Sequence, residues 1–296
     1  VHGDKVDAAY ASSAPLLMYA QAAPNEVYYD IVTAAAERSS PGCAHSVKAT
    51  LMEMRDAILS APSLTEAADR VGVCSGPDLF PKTITTQEEL ADELSFMAVY
   101  GFANYDMVCY PPDETNAMYK ICQTFQDPNL NALDTMKSYF RSQIIEQYEE
   151  EHGCDMASVH CTDEEKEAFV KEKYQGRDCY NLGADDDDDP SDPGTVFDGM
   201  TYDDGFMWNF QTCSILIFRA GQSVNSMFPP HKATWDELTK GCREQYGPEI
   251  TPRPWELVEM WGFDDLVHKA NASRILFTNG DQRSEEHTSE LQSHSD

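Results

Sequence analysis

Nine cysteines spread through 296 residues constrain this chain more than any other feature of it. They stand at Cys43, Cys74, Cys109, Cys122, Cys154, Cys161, Cys179, Cys213 and Cys242, at long and irregular spacings. No Cys-x-x-Cys pair occurs, so neither a zinc ribbon nor a thioredoxin-type redox site is expected. Widely spaced cysteines in a large acidic chain favour structural disulfides and an oxidising compartment. The odd count leaves at least one thiol unpaired. His152 and His160 lie near Cys154 and Cys161 and could in principle complete a metal site. With acidic loop sequence and helices around them, a local Cys154–Cys161 disulfide is the better reading, and no metal is expected.

The formal net charge of −31 argues against nucleic acid, whose phosphates need clustered Lys and Arg. It suits an acidic or extracellular compartment, where partial protonation of carboxylates relieves self-repulsion, although solubility alone would account for it. No run of about 18 apolar residues occurs, so no membrane span is expected. The chain begins at Val1 without an apolar targeting stretch, as if a leader were removed or the start missing. Asn271-Ala272-Ser273 is an N-glycosylation sequon.

Residues 6–17 are mostly small and apolar until Pro15 breaks the run, which reads as a buried strand entering a loop. Helices follow. Val47, Leu51, Met54 and Ile58 recur at helical spacing, as do Leu133, Met136, Phe140 and Ile144. Ser63 with Glu66, and Thr86 with Glu89, have the spacing of capping boxes. Thr162 opens a charged helix over 162–174. Asp185 to Asp189, followed by Pro190, form a solvated loop rather than a calcium site, since the EF-hand spacing is absent. After residue 200 aromatics and prolines return, and Arg274 to Gly280 read as a buried parallel strand closed by a glycine turn. Strand, long helical block and strand again predict an α/β chain with a helical insertion.

No Gly-x-Ser-x-Gly elbow, His-Glu-x-x-His, phosphate loop or dinucleotide fingerprint is present. Ser12 and Ser13 follow a strand but lack the flanking glycines of a sharp elbow, so they line a loop and are not nucleophiles. No cofactor is expected.

Several segments, taken in order, resemble the lysosomal and secreted serine exopeptidases that include prolyl carboxypeptidase and dipeptidyl-peptidase II. Val6 to Leu17 is similar to the family's small-residue strand ending in Ser-Ala-Pro. Tyr28 to Cys43 resembles the start of its inserted helical domain. Tyr105 to Pro111 resembles Met-x-Asp-Tyr-Pro, with Cys109 where the family has Asp. Trp208 to Cys213 resembles Trp-x-Tyr-Gln-x-Cys. Met227 to Pro230, Cys242, Tyr246-Gly247, Pro252 to Pro254 and Ile275 to Gly280 follow in the family's order.

The resemblance implies a partial α/β-hydrolase core with an inserted helical cap domain. The implied division is a core fragment at 1–22, a cap at 23–200 and a core return at 201–282. Residues 283–296 read as translation through a common sequencing adapter and are set aside. It implies disulfides Cys43–Cys122, Cys74–Cys179 and Cys213–Cys242, with Cys109 the odd thiol. The implied chemistry is acyl transfer by a Ser-His-Asp triad. The serine would precede Val1, Arg283 stands in the aspartate's place and the histidine would come later, so no catalytic residue is assigned in this chain. Tyr110, Trp208, Phe210 and Met227 are the candidate lining of an apolar proline pocket, with core packing as the alternative for each. Ser214-Ile215 stand where the family usually has Thr-Glu.

Implied substrates are peptides cleaved near a terminal proline, in a lysosomal, vacuolar or secreted setting, and a homodimer is compatible with the resemblance. Cysteines that carboxypeptidase members carry near positions 24 and 220 are absent, which tilts the reading to a dipeptidyl-peptidase over a prolyl carboxypeptidase. The alternative from another class is a non-catalytic, hydrolase-derived binding protein.

Overall fold

A computed structural model describes residues 7–75, 84–107, 113–154, 161–173, 179–180, 182, 202–266 and 268–278. In chain order the elements are β1 (Ala9–Ser12), α1 (Leu16–Tyr19), α2 (Val27–Ser39), α3 (Cys43–Leu59), α4 (Leu64–Val71) and α5 (Gln87–Met107), then α6 (Ala117–Phe125), α7 (Ala132–His152), α8 (Asp163–Lys173), α9 (Tyr202–Ser214), α10 (Trp235–Tyr246), α11 (Glu256–Trp261) and β2 (Ile275–Thr278). Among the described residues none of these helices is long and apolar enough to cross a membrane.

The chain divides into two compact units. The first comprises 1–38, 102–111 and 203–296. In it β1 and β2 pair in parallel, Ala9 opposite Ile275 and Ser12 opposite Thr278. Most of α2 belongs here because its side chains meet the 223–228 turn. The Thr33 hydroxyl accepts the Met227 amide at 3.0 Å, and the Tyr29 and Phe102 rings pack edge-on against Phe228. Cys213 and Cys242 join α9 to α10. The helical unit begins at Ser39, and the last turn of α5 belongs to the first unit.

The sequence predicted buried strands, and here the structure differs. Tyr10 is 67% exposed and Leu276 61%. A parallel sheet normally hides both faces under helices. A pair of four-residue strands offers too little surface for that, so its apolar side chains stay in solvent.

The second unit, 39–101 with 112–202, is helical among its described residues. The α3 stripe is fully buried at Val47, Leu51, Met54 and Ile58, and the α7 stripe at Met136, Phe140 and Ile144 meets it. Burying a Leu- or Ile-sized side chain contributes about 1.5–3 kcal/mol, so these two stripes carry much of the unit's stability. Cys43–Cys122 ties α3 to α6, Cys74–Cys179 closes the longest loop, and Cys154–Cys161 bridges α7 to the segment before α8. Of the two boxes read from sequence, Thr86–Glu89 is reciprocal. Ser63–Glu66 is half made: Ser63 accepts the Glu66 amide, but the Glu66 carboxylate turns to Arg70 at 2.6 Å. A charged partner one turn along is a stronger attraction than the cap's own N–H.

Candidate functional site

Ligands of open parallel sheets bind beyond the carboxyl ends of the strands. In the first unit that end is Ser12 and Thr278. The chain turns there at Ser13, whose φ of 54° is unusual for a residue with a side chain, while its N–H donates to the Thr278 carbonyl at 2.8 Å. It then runs through Pro15 and α1 to Gln21, a second positive-φ residue. The Gln21 side-chain amide donates to the Ile217 carbonyl at 2.6 Å. Close by in sequence, the Gly221 N–H donates to the Asn25 carbonyl at 3.0 Å, and Gln222 and His231 exchange two backbone hydrogen bonds. Gly221 is needed at this crossing, because a Cβ would stand 3.0 Å from the His231 carbonyl oxygen.

These contacts open a groove of about 660 Å³. Pro24, Val27, Val224 and Pro230 give it apolar walls, Glu26, Asp30 and Lys232 give it charge, and His231 lines it as well. Ser223 is not poised as a nucleophile. Its hydroxyl donates to Asp30 at 2.6 Å and accepts the amides of Asn225 and Ser226, which makes it a turn residue anchored to α2. On the same helix as Asp30, burial pushes the Tyr29 phenol up to about 12, so it stays neutral.

Of the lining residues read from sequence, Trp208 and Phe210 are partly exposed on α9, at 44% and 37%, and Phe210 lies edge-on to Tyr246. Met227 is 1% exposed and takes the core-packing alternative, its backbone held by Thr33. Tyr110 lies outside the described residues, as do Cys109, His160 and the 185–189 acidic run. Asn271 is exposed, at a φ of 49°, with its sequon accessible. Among the described residues no cluster of three His, Cys, Asp or Glu side chains could hold a metal ion.

One residue escaped the sequence reading. The Arg219 guanidinium carbon lies 4.2 Å over the centre of the Trp235 ring, and its Nε is buried without a hydrogen-bond partner. The signal was available, since Arg219 is the lone base in the otherwise apolar run Ile215 to Ala220.

The family model of serine carboxypeptidase S28 matches residues 1–283. Lysosomal Pro-X carboxypeptidases of Pongo abelii and Homo sapiens are each 24% identical over 282 residues, and that of Bos taurus is 22% identical over 283. In each case the match covers 92% of this chain and 46% of the relative, so the chain spans about half the length of these proteins. A match over nearly the whole chain shows that this protein belongs to the serine carboxypeptidase S28 family, which is of α/β-hydrolase type.

Proposed function

We propose that the whole protein is a serine exopeptidase that removes the residue following a proline at peptide carboxyl ends. The observation that carries this is the S28 match over residues 1–283, together with relatives named Pro-X carboxypeptidases. In this reading a serine, activated by a histidine that an aspartate orients, attacks the carbonyl carbon of the proline. An acyl-enzyme forms, the terminal residue leaves with the proton from the histidine, and water then releases the shortened peptide. None of the three triad members lies in residues 1–296, so the chain alone binds and shapes but does not hydrolyse. Trp208 and Phe210 offer flat apolar surface to the proline ring. Four disulfides, the −31 charge and the lysosomal relatives favour a lysosomal or secreted setting.

A second reading, release of N-terminal dipeptides, is favoured by the cysteines missing near 24 and 220. The main chain brings the neighbouring positions together through the Gly221–Asn25 hydrogen bond, and Pro24 and Ala220 stand there in place of cysteines. The test is to express the full coding sequence and assay a peptide ending in Pro-Phe beside an N-terminal X-Pro amide. Release of free Phe supports the first reading. Release of X-Pro dipeptide supports the second. An inert protein that a serine-directed fluorophosphonate does not label would leave a non-catalytic binding protein.

A further inference from the structure

We propose that Arg219 recognises a carboxylate, the free C-terminal group of a bound peptide; this rests on the peptidase reading above. The segment carrying it is fixed on both sides. Gln21 holds the Ile217 carbonyl, the Phe218 ring lies 6.4 Å from Tyr28, and Gly221 is bonded to Asn25. All three tether it to the stretch of chain that leaves the carboxyl end of β1, where a ligand of this unit is expected.

The side chain is equally held. Trp235 is the first residue of α10, and the reciprocal Thr234–Glu237 box fixes that helix start. The ring therefore offers Arg219 a rigid platform. A cation over an aromatic face is attracted to it but not neutralised. The contact is made by the guanidinium carbon, 4.2 Å over the ring centre, and consumes none of the N–H donors. No described residue takes them: Arg219 forms no ion pair among the described residues, and its Nε is buried without a hydrogen bond. This occurs in a chain with 52 acidic residues against 21 basic ones. Glu237, two positions after Trp235, is taken up by the Thr234 amide and hydroxyl, and Asp236 forms no ion pair with Arg219.

An oriented, unneutralised guanidinium on a fixed ring matches a planar two-oxygen anion, which it can bind through two parallel N–H donors. Its conformation is set before binding, so little side-chain freedom is lost. Among groups on a peptide, the C-terminal carboxylate alone combines that shape with a position at the chain end.

The experiment measures binding to the whole protein by titration calorimetry. The probe is a peptide whose terminal Pro–Phe bond is reduced against hydrolysis, in free-acid and C-terminal amide forms. The wild-type protein should bind the acid at least tenfold tighter, about 1.4 kcal/mol. R219Q should bind both forms alike, and R219K, which keeps charge but loses the fork, should retain part of the preference. If R219Q does not fold, the R219K loss carries the test. An undiminished preference in either folded variant, or equal binding of acid and amide by wild type, overturns the assignment. Binding of neither form overturns the peptidase reading and the assignment with it.

Discussion

At Gly101 an added Cβ would come within 2.2 Å of the Tyr139 hydroxyl. Glycine inside a helix costs about 1 kcal/mol relative to alanine, so α5 needs a reason to keep it. Tyr139 is that reason. Its ring is buried against Phe125 and Phe140, its hydroxyl donates to the Met97 carbonyl at 3.1 Å, and burial raises its pKa far out of reach. A ring pinned on three sides cannot retreat, and overpacking a filled core costs about 1–3 kcal/mol. Gly101→Ala should therefore destabilise by about 1–2 kcal/mol despite its better helix propensity. The check is chemical denaturation of Gly101→Ala alone and on a Tyr139→Phe background, where the oxygen is gone. Equal costs on both backgrounds would refute the steric account. Nothing in the sequence around Gly101 signals this contact, because its partner lies 38 positions away (139 − 101) and the match is one of shape.

Helices and their starts were the most legible elements, because the information is local. Apolar residues spaced for one face of α3 and α7 can be buried only one way, and Thr86–Glu89 and Thr162–Glu165 close their boxes within one turn. The strands were legible as strands but not as exposed ones, since exposure depends on what else covers them. The Thr234–Glu237 box went unread, for want of an apolar stripe on α10 to draw attention to its start. These boxes also set a pH response. The Glu89 and Glu165 carboxyls are held below their ordinary 4.5 first by the backbone N–H groups of Thr85 and Thr162, and Glu237 first by the Thr234 hydroxyl. A carboxyl depressed in the folded state stabilises fully above its unfolded pKa and loses that contribution as pH falls through the folded value. The three boxes should thus stay intact down to about pH 4.5 and fail below it, which suits an acidic compartment. Melting temperature measured from pH 7 to pH 3 should show this for the whole protein. Glu→Gln at all three positions should lower it at pH 7 and leave it unchanged near pH 3. A constant deficit across that range would show that ionisation of these groups is irrelevant.

For the molecule as a whole, the strand pair is where the S28 reading meets physical chemistry. Among the described residues β1 and β2 pair with no further strand, and Tyr10, Ile275 and Leu276 are exposed, although parallel sheets are stable only when covered. The helical unit is differently placed: it has long disulfide-closed loops and its own buried stripes, and a bridge closing such a loop adds about 2–4 kcal/mol. Stability should accordingly be uneven in residues 1–296 on their own. Hydrogen exchange should find the amides of Ala9 and Ser13, which bond to Arg274 and Thr278, exchanging near the unfolded rate, while amides in the middle of α3 and α7 are protected. In the whole protein both sets should be protected, because further sheet and helices would cover the pair. The same two samples should differ in chemistry, with hydrolysis of a Pro-Phe peptide undetectable for the chain alone. Equal protection of Ala9 and Ser13 in both samples would mean that two short strands suffice to hold this sheet. Hydrolysis by the chain alone would mean that the nucleophile lies within residues 1–296, and the reading that places the triad outside them would fall.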